Sequence, residues 1–327
     1  MINMKRKQRG LSLIELMIAT SLSLILTTGV IQIFSSSKQT SRVQDSLARL
    51  QENARFALDL LAHDIRMAGQ LGCNSNASLN YATALTNHGA SIFGYEHDQL
   101  PANSALVVNN ANPQRDNIVA DTDTIIILSA SPNTIPVSSN GTVTTITAPD
   151  ANTINNIDAG DPLLISDCDN ADLIIAGDIN DNVITTSPFS KAYRDFSQLA
   201  ALNYNAYYIR ENNNQKNLYR STVNGIANVT RINSDPLLEG VENMQILYGE
   251  DINGDGSSIR YVDATTIGAD MSKVSSIRIH LLLATLEDGL ATEPQTYWFN
   301  GADHSATDGR LYRSFTTTIQ LRNHIKA

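Results

Sequence analysis

The sequence predicts an α+β protein: one long N-terminal helix, half apolar and half amphipathic, packed on a β-rich head with an antiparallel sheet. Three observations predict it. A charge-poor apolar run, Leu11 to Phe34, comes after a tight basic cluster. An apolar stripe at helical spacing then continues with no Pro or Gly from Val30 to Ala68. Beyond Gly72 that period gives way to short β-rich runs divided by Asn, Asp, Ser, Gly and Pro.

The first element opens with Lys5, Arg6, Lys7 and Arg9, then Gly10. Between Arg9 and Lys38 the only charge is Glu15. A helix over Leu11–Phe34 spans about 36 Å, enough for a hydrocarbon layer of about 30 Å. Its basic flank places that end in the cytoplasm and exports the chain beyond Phe34. A cleavable secretory signal needs a small-x-small site after its apolar stretch, and no convincing one lies beyond Phe34. An ordinary anchor fits the length and charge but leaves Glu15 unexplained. An ionisable residue in a bilayer costs about 2.5–3.5 kcal/mol and marks a functional site by default.

The second element is the polar continuation from Ser35. Val43, Leu47, Leu50, Ala54, Ala57 with Leu58, Leu61, Ile65 and Ala68 form one stripe, with Arg and Asp on the other faces. Gly69 and Gly72 supply the stop. One helix is therefore expected from about Leu11 to Ala68, its first half in lipid and its second on the head. His63 lies beside the stripe and reads as a packed or solvated histidine.

In the head, strands are expected at Ala105–Val108, Thr124–Leu128, Thr142–Thr147, Leu163–Ser166, Tyr207–Arg210 and Ile226–Ile232. Further strands are expected at Val241–Tyr248, Ser275–Thr285, Thr296–Phe299 and Arg310–Leu321. Ile277, Ile279, Leu281 and Leu283 share one face, with Arg278 and His280 opposite. Leu311, Phe315, Ile319 and Leu321 share another, broken by Arg313. The Asn-rich stretches Asn109–Asn117, Asn152–Asn156 and Asn212–Asn217 read as loops.

The 327 residues, 42% hydrophobic and 17% charged, suffice for a core and exclude a disordered chain. A net charge of −10 argues against a partner bound through its phosphate backbone. The head's cations form no cluster with interleaved aromatics, so no nucleic acid is expected. No GxSxG elbow, HExxH pair or P-loop is present, and no enzyme is expected.

Two cysteines, Cys73 and Cys168, both fall in the exported part. In an oxidising compartment that count suggests one disulfide. The alternatives are two buried thiols or a metal pair, although no Cys or His sits at ligand spacing around either. Asp251, Asn253, Asp255 and Ser257 match the first half of a calcium loop, making Ca2+ a candidate. Val262 occupies the twelfth place, and Asp263, one residue late, would have to substitute. The competing reading is an ion-free Asx-and-Gly turn.

Gly10 with Leu11-Ser12-Leu13-Ile14-Glu15-Leu16-Met17 after it resembles the type III signal of type IV pilins and pseudopilins. The resemblance implies that a prepilin peptidase cuts between Gly10 and Leu11 and methylates Leu11. Leu stands where the family usually has Phe. It also implies that Glu15 pairs with a neighbouring subunit's N-terminal amine during assembly. Removal of the four leader cations would leave 19 Lys and Arg against 33 Asp and Glu, a net −14.

The segments Leu71–Cys73, Ile165–Cys168, Leu237–Gly256, Ser276–Thr285 and Phe315–Asn323 resemble the PilW family of minor pilins. That resemblance implies a structural minor pilin of the type IV pilus, acting within a priming or tip complex. Its implied partners are the prepilin peptidase, other minor pilins, the major pilin and, at the tip, an adhesin. The implied location is the inner membrane of a Gram-negative bacterium, with the head in the periplasm, and then the filament. The alternatives are a large pseudopilin of a type II secretion system and a membrane-anchored periplasmic adhesive or calcium-binding module. The expected division is a leader at 1–10, an assembly helix at 11–34, its amphipathic half at 35–70 and a head at 71–327. A possible inserted subdomain covers about 81–235.

Overall fold

The computed structural model describes residues 12–70, 72, 79–81, 91–96, 118–167, 169–223, 232–267 and 271–322. Helix α1, Leu13–Met67, runs unbroken for 55 residues, about 80 Å at 1.5 Å per residue. Of the expected stripe, Leu50, Ala54, Ala57, Leu61 and Ile65 are buried against the head with Ala62 beside them, while Val43, Leu47 and Leu58 are half-buried. Ala54, Ala57, Ala62 and Ala68 are short, so the helix axis lies close to the sheet beneath. Gly69 ends the helix in the left-handed region, φ 71°, where a Cβ is disfavoured. Its N–H donates to the Leu128 carbonyl (3.0 Å), and the Ala130 N–H donates to the Gln70 carbonyl (2.8 Å). The chain leaving the helix is thus stitched to a strand at once.

In chain order the first strands are β1 Leu79–Tyr81, β2 Ile92–Tyr95, β3 Thr124–Val137, β4 Thr145–Thr147 and β5 Pro162–Ser166. Then come β6 Ala171–Asn180, β7 Val183–Thr186, β8 Ser197–Asn212, β9 Gln215–Val223 and β10 Ile232–Glu239. After β11 Val241–Glu250 and β12 Arg260–Val262 comes a single helical turn, α2 Ala264–Ile267. The last strands are β13 Val274–Ala284, β14 Thr296–Phe299, β15 Ala302–Ser305 and β16 Tyr312–Gln320.

The sheet under the helix has the order β12-β11-β13-β16, antiparallel throughout. Ile277, Ile279, Leu281 and Leu283 are buried on its inner face, as their alternation predicts. Ile277 lies opposite Ile319 and Leu281 opposite Phe315. Leu282 and Ala284 are buried too, on the other face, in a small cluster with Phe299, Ala306 and Tyr312. The β14–β15 hairpin contributes to that cover, which strand alternation alone does not reveal.

A larger sheet runs β10-β9-β8-β5-β6-β7-β4, with β3 also paired to β8, β2 to β3, and β1 parallel to β6. Strand β8 is its spine. Its later residues pair with β9 and its first residues with β5. The first core joins the helix stripe to Ile125–Leu128, Tyr207, Tyr208, Met244, Ile246 and the inner face of β13. A second core lies within residues 137–199 and includes Val137, Ile146, Ile154, Leu163, Ile174, Ile184, Phe189 and Tyr193.

Thr124–Leu128, Leu163–Ser166, Tyr207–Arg210, Val241–Tyr248 and Thr296–Phe299 lie inside observed strands. Strands β13 and β16 end within two residues of the expected bounds, and only the end of Thr142–Thr147 is strand, as β4. Ala105–Val108, Asn109–Asn117 and residues 226–231 fall outside the described residues, while Ile232 opens β10. The expected loop at Asn212–Asn217 is instead a tight hairpin. Asn212 pairs with Gln215, and Asn213 and Asn214 both adopt positive φ (51° and 64°). A two-residue turn of that hand needs residues that tolerate the left-handed region, and Asn does so best after Gly.

Candidate functional site

The helix presents two environments along one rod. Leu13, Ile14, Leu16, Met17 and Ile18 are exposed, as are Leu22, Leu24, Ile25, Leu26, Val30, Ile31, Ile33 and Phe34. This segment makes the helix long and apolar enough to cross a membrane by length and composition. Four of its hydroxyls bond within the helix. Thr20 and Ser21 donate to the Met17 carbonyl (3.0 and 2.8 Å), Thr27 to Ser23 and Thr28 to Leu24 (both 2.8 Å). A polar side chain that bonds its own backbone can enter hydrocarbon without stranding a donor.

Gly10 and Leu11 lie outside the described residues; Ser12 is the N-cap and Glu15 sits in the first turn. Glu15 is exposed on that apolar surface. An acid in the first turn complements the positive end of the helix dipole.

Farther along, the helix is seated by polar contacts that sequence spacing could not indicate. Arg42 forms an ion pair with Glu287, with its Nε 3.0 Å from Oε1, and Ser46 donates to the same carboxylate (3.4 Å). The bound Arg42 guanidinium holds Glu287 below the usual carboxylate range. Both partners are exposed, so this contact sets direction more than it stabilises. Asp64 is the deeper anchor. Its Oδ2 accepts from the Asn205 amide (2.8 Å) and from the Tyr207 hydroxyl (2.5 Å), both on β8. Burial, and then the Asp64 carboxylate, push the Tyr207 hydroxyl well above its ordinary range. An acid on the flank of a buried stripe is the only signal that could have flagged Asp64. His63, its neighbour, is exposed.

Of the other residues singled out in the sequence, Cys73 and Cys168 lie outside the described residues. Their described neighbours meet: a Cβ on Gly72 would lie 2.3 Å from Ser166 Oγ. Asp251 Oδ1 accepts from the N–H groups of Gly254 (2.7 Å) and Asp255 (3.2 Å), and Oδ2 from Gly256 (2.8 Å). The Asn253 amide donates to Asp255 (2.9 Å), whose other oxygen accepts from the Ser257 N–H (2.7 Å). These bonds hold Asp255 below the usual carboxylate range. Asp263 is engaged elsewhere, accepting from the Thr265 hydroxyl and the Thr266 N–H at the start of α2. Among the described residues no group of three or more His, Cys, Asp or Glu could hold a metal ion.

Comparison with known families adds two findings. Residues 5–31 match the Prokaryotic N-terminal methylation motif. Residues 206–323 match the Type IV Pilus-assembly protein W family, PilW. Over those residues the chain is similar to the PilW family. No curated protein and no solved structure matches it. The PilW-like region begins within β8 and covers β9 through β16, so it contains the sheet under the helix but not residues 137–199 of the second core. The two matches support a role in type IV pilus assembly and point to a structural pilus component. The prepilin motif and the apolar helix fit membrane anchoring and association with a pilus.

These contacts make two predictions. Asp64→Ala removes the acceptor of the Tyr207 hydroxyl proton and of the Asn205 amide, leaving Tyr207 only its bond with Arg220, and should cost about 1–3 kcal/mol in denaturant unfolding. Asp64→Asn, which keeps an acceptor, should cost less. The Asp251 turn is closed by its own backbone donors, so Asp251→Ala should lower the melting temperature equally in chelator and in calcium. A loss seen only in calcium would show that an ion completes the loop.

Proposed function

We propose that this chain is a structural minor pilin of a type IV pilus, acting in a priming or tip complex rather than as an enzyme. The observation that carries the reading is the single helix α1: bare and apolar over its first half, seated on the head over its second, and overlapped at its start by the prepilin motif. Residues 1–10 are the leader, 11–34 the assembly half, 35–70 the seated half and 71–327 the head. In this reading a prepilin peptidase cuts between Gly10 and Leu11 and methylates Leu11. The anchored subunit then holds its head in the periplasm. Leaving the membrane, the apolar half exchanges lipid for the helices of other minor pilins and the major pilin.

Glu15 gives that exchange its direction. Alone in hydrocarbon its charge costs about 2.5–3.5 kcal/mol. A neighbour's N-terminal amine offsets that cost only when the subunits stand in the correct axial register. Two further points concern the head. The second core draws only on residues 137–199, which supports a subdomain inserted within about 81–235. The contact of Gly72 with Ser166 supports a Cys73–Cys168 disulfide tying the helix foot to that unit.

Substituting Gly10 should leave full-length, unprocessed protein in the membrane; normal processing would defeat the assignment. Glu15→Ala should be processed normally yet enter filaments at least about tenfold less, the equivalent of ~1.4 kcal/mol. Unchanged incorporation would remove the proposed role of Glu15. The disulfide predicts that both cysteines resist alkylation until the unfolded protein is reduced, and that Cys73→Ser costs roughly 4–5 kcal/mol.

A further inference from the structure

Two carboxyl groups meet where β2, β3, β11 and α2 come together, away from the assembly helix. Asp123, just before β3, is 4% exposed. Its N–H donates to the Met244 carbonyl (2.9 Å), and its Oδ2 accepts from the Ile246 N–H (2.7 Å), so it clamps β11 from both directions. Glu96, just after β2, accepts from the Ala264 N–H at the start of α2 (3.2 Å). The two side chains are hydrogen-bonded to each other. Two carboxylates cannot share a hydrogen bond unless one of them carries a proton.

Among the described residues no Lys or Arg lies in the cleft to neutralise the pair. Tyr95 comes from β2, Tyr248 from β11 and Asp263 from the start of α2. The polar cleft above, about 550 Å³, adds Asp121 and, from the β14–β15 hairpin, His304. Tyr248 is 1% exposed and its hydroxyl has no hydrogen-bond partner among the described residues. That hydroxyl abuts Gly94 so closely that a Cβ there would lie 2.0 Å away. Gly94 of β2 therefore packs directly against the Tyr248 ring of β11.

We propose that Asp123 and Glu96 form a proton-operated latch, in which a proton donated from Asp123 to the Glu96 carboxylate fastens the end of β2 and the start of α2 to β11. Loss of the proton places two negative charges in one buried contact, and Glu96, the less enclosed partner, is expelled. The end of β2 then parts from α2, and water reaches the Tyr248 hydroxyl. Burial first, then the Glu96 and Asp263 carboxylates, push Asp123 up to about 8 against the lowering effect of the Ile246 N–H. This fixes the sign of the pH dependence. An unfolded Asp releases its proton near pH 3.9, whereas the folded protein keeps it to about 8. The stabilisation is complete below the unfolded value and is lost as pH rises through the folded one.

The test uses the full-length protein in detergent with a chelator present. Its melting temperature should fall by several degrees from about pH 6 to about pH 9, while Asp123→Asn, which still accepts from Ile246 and donates to Glu96, should lose most of that slope. Infrared spectra supply a readout that does not depend on the variant's stability. A protonated carboxyl band should be present at neutral pH and should vanish as pH rises through about 8. Amide exchange at Phe93, Tyr95 and Ala264, corrected for its intrinsic pH dependence, should accelerate over the same range while β13 and β16 stay protected. Absence of the protonated band at neutral pH would overturn the proposal. So would an unchanged slope in Asp123→Asn.

Discussion

One helix has to satisfy two solvents, and most of the molecule is arranged around that requirement. From Leu13 to Phe34 its surface is largely apolar, four of its hydroxyls fold back onto the helix backbone, and nothing in the described head covers it. From Leu50 to Ala68 the same rod has one buried face and one charged face. Helix α1 is unbroken from Leu13 to Met67, with Gly29 its one glycine, so the two halves form one rod. A force on the apolar half is therefore delivered to the head through the seat made by Leu61, Ile65 and Asp64.

That seat explains why the head is built as it is. Alanines at 54, 57, 62 and 68 let the helix lie close to its sheet, so aliphatic side chains from β11 and β13 fill the space between. Asp64 fixes the rotation of the rod by bonding Asn205 and Tyr207 on β8. The same strand also reaches into the second core, linking the seat to residues 137–199. The region matching PilW holds the sheet beneath the helix, while the second core lies outside it. The similarity to PilW thus falls on the part of the head that holds the helix.

The helix was legible in the sequence because a 3.6-residue period over four turns or more has few competing explanations. The strands at Val241–Glu250, Val274–Ala284 and Tyr312–Gln320 were legible for a similar reason, since β13 alternates from Ile277 to Leu281 before a run of apolar residues. Strand β9, with Lys216, Asn217, Arg220 and Ser221, shows little of this. It is a strand because β8 and β10 flank it, a tertiary fact that local propensity does not carry. Two asparagines in the left-handed region make its turn, where the sequence suggested only a polar loop. The second core was hidden because its apolar residues arrive in short pieces between turns. In the functional region, Gly10 and Glu15 were readable as a linear motif. Asp64 with Tyr207, and Arg42 with Glu287, were not, because their partners lie 143 and 245 residues away. The carboxyl pair at Glu96 and Asp123 likewise exists only once β2 and β3 have paired.

The central claim, one continuous helix in two environments, is tested most directly by oxygen accessibility of single spin labels placed along residues 13–67 of the protein in lipid bilayers. The account predicts uniformly high accessibility through residue 34, then a pattern repeating every ~3.6 residues with minima at Leu50, Ala54, Ala57, Leu61 and Ile65. Periodic protection within the apolar half, or its absence from the seated half, would contradict it.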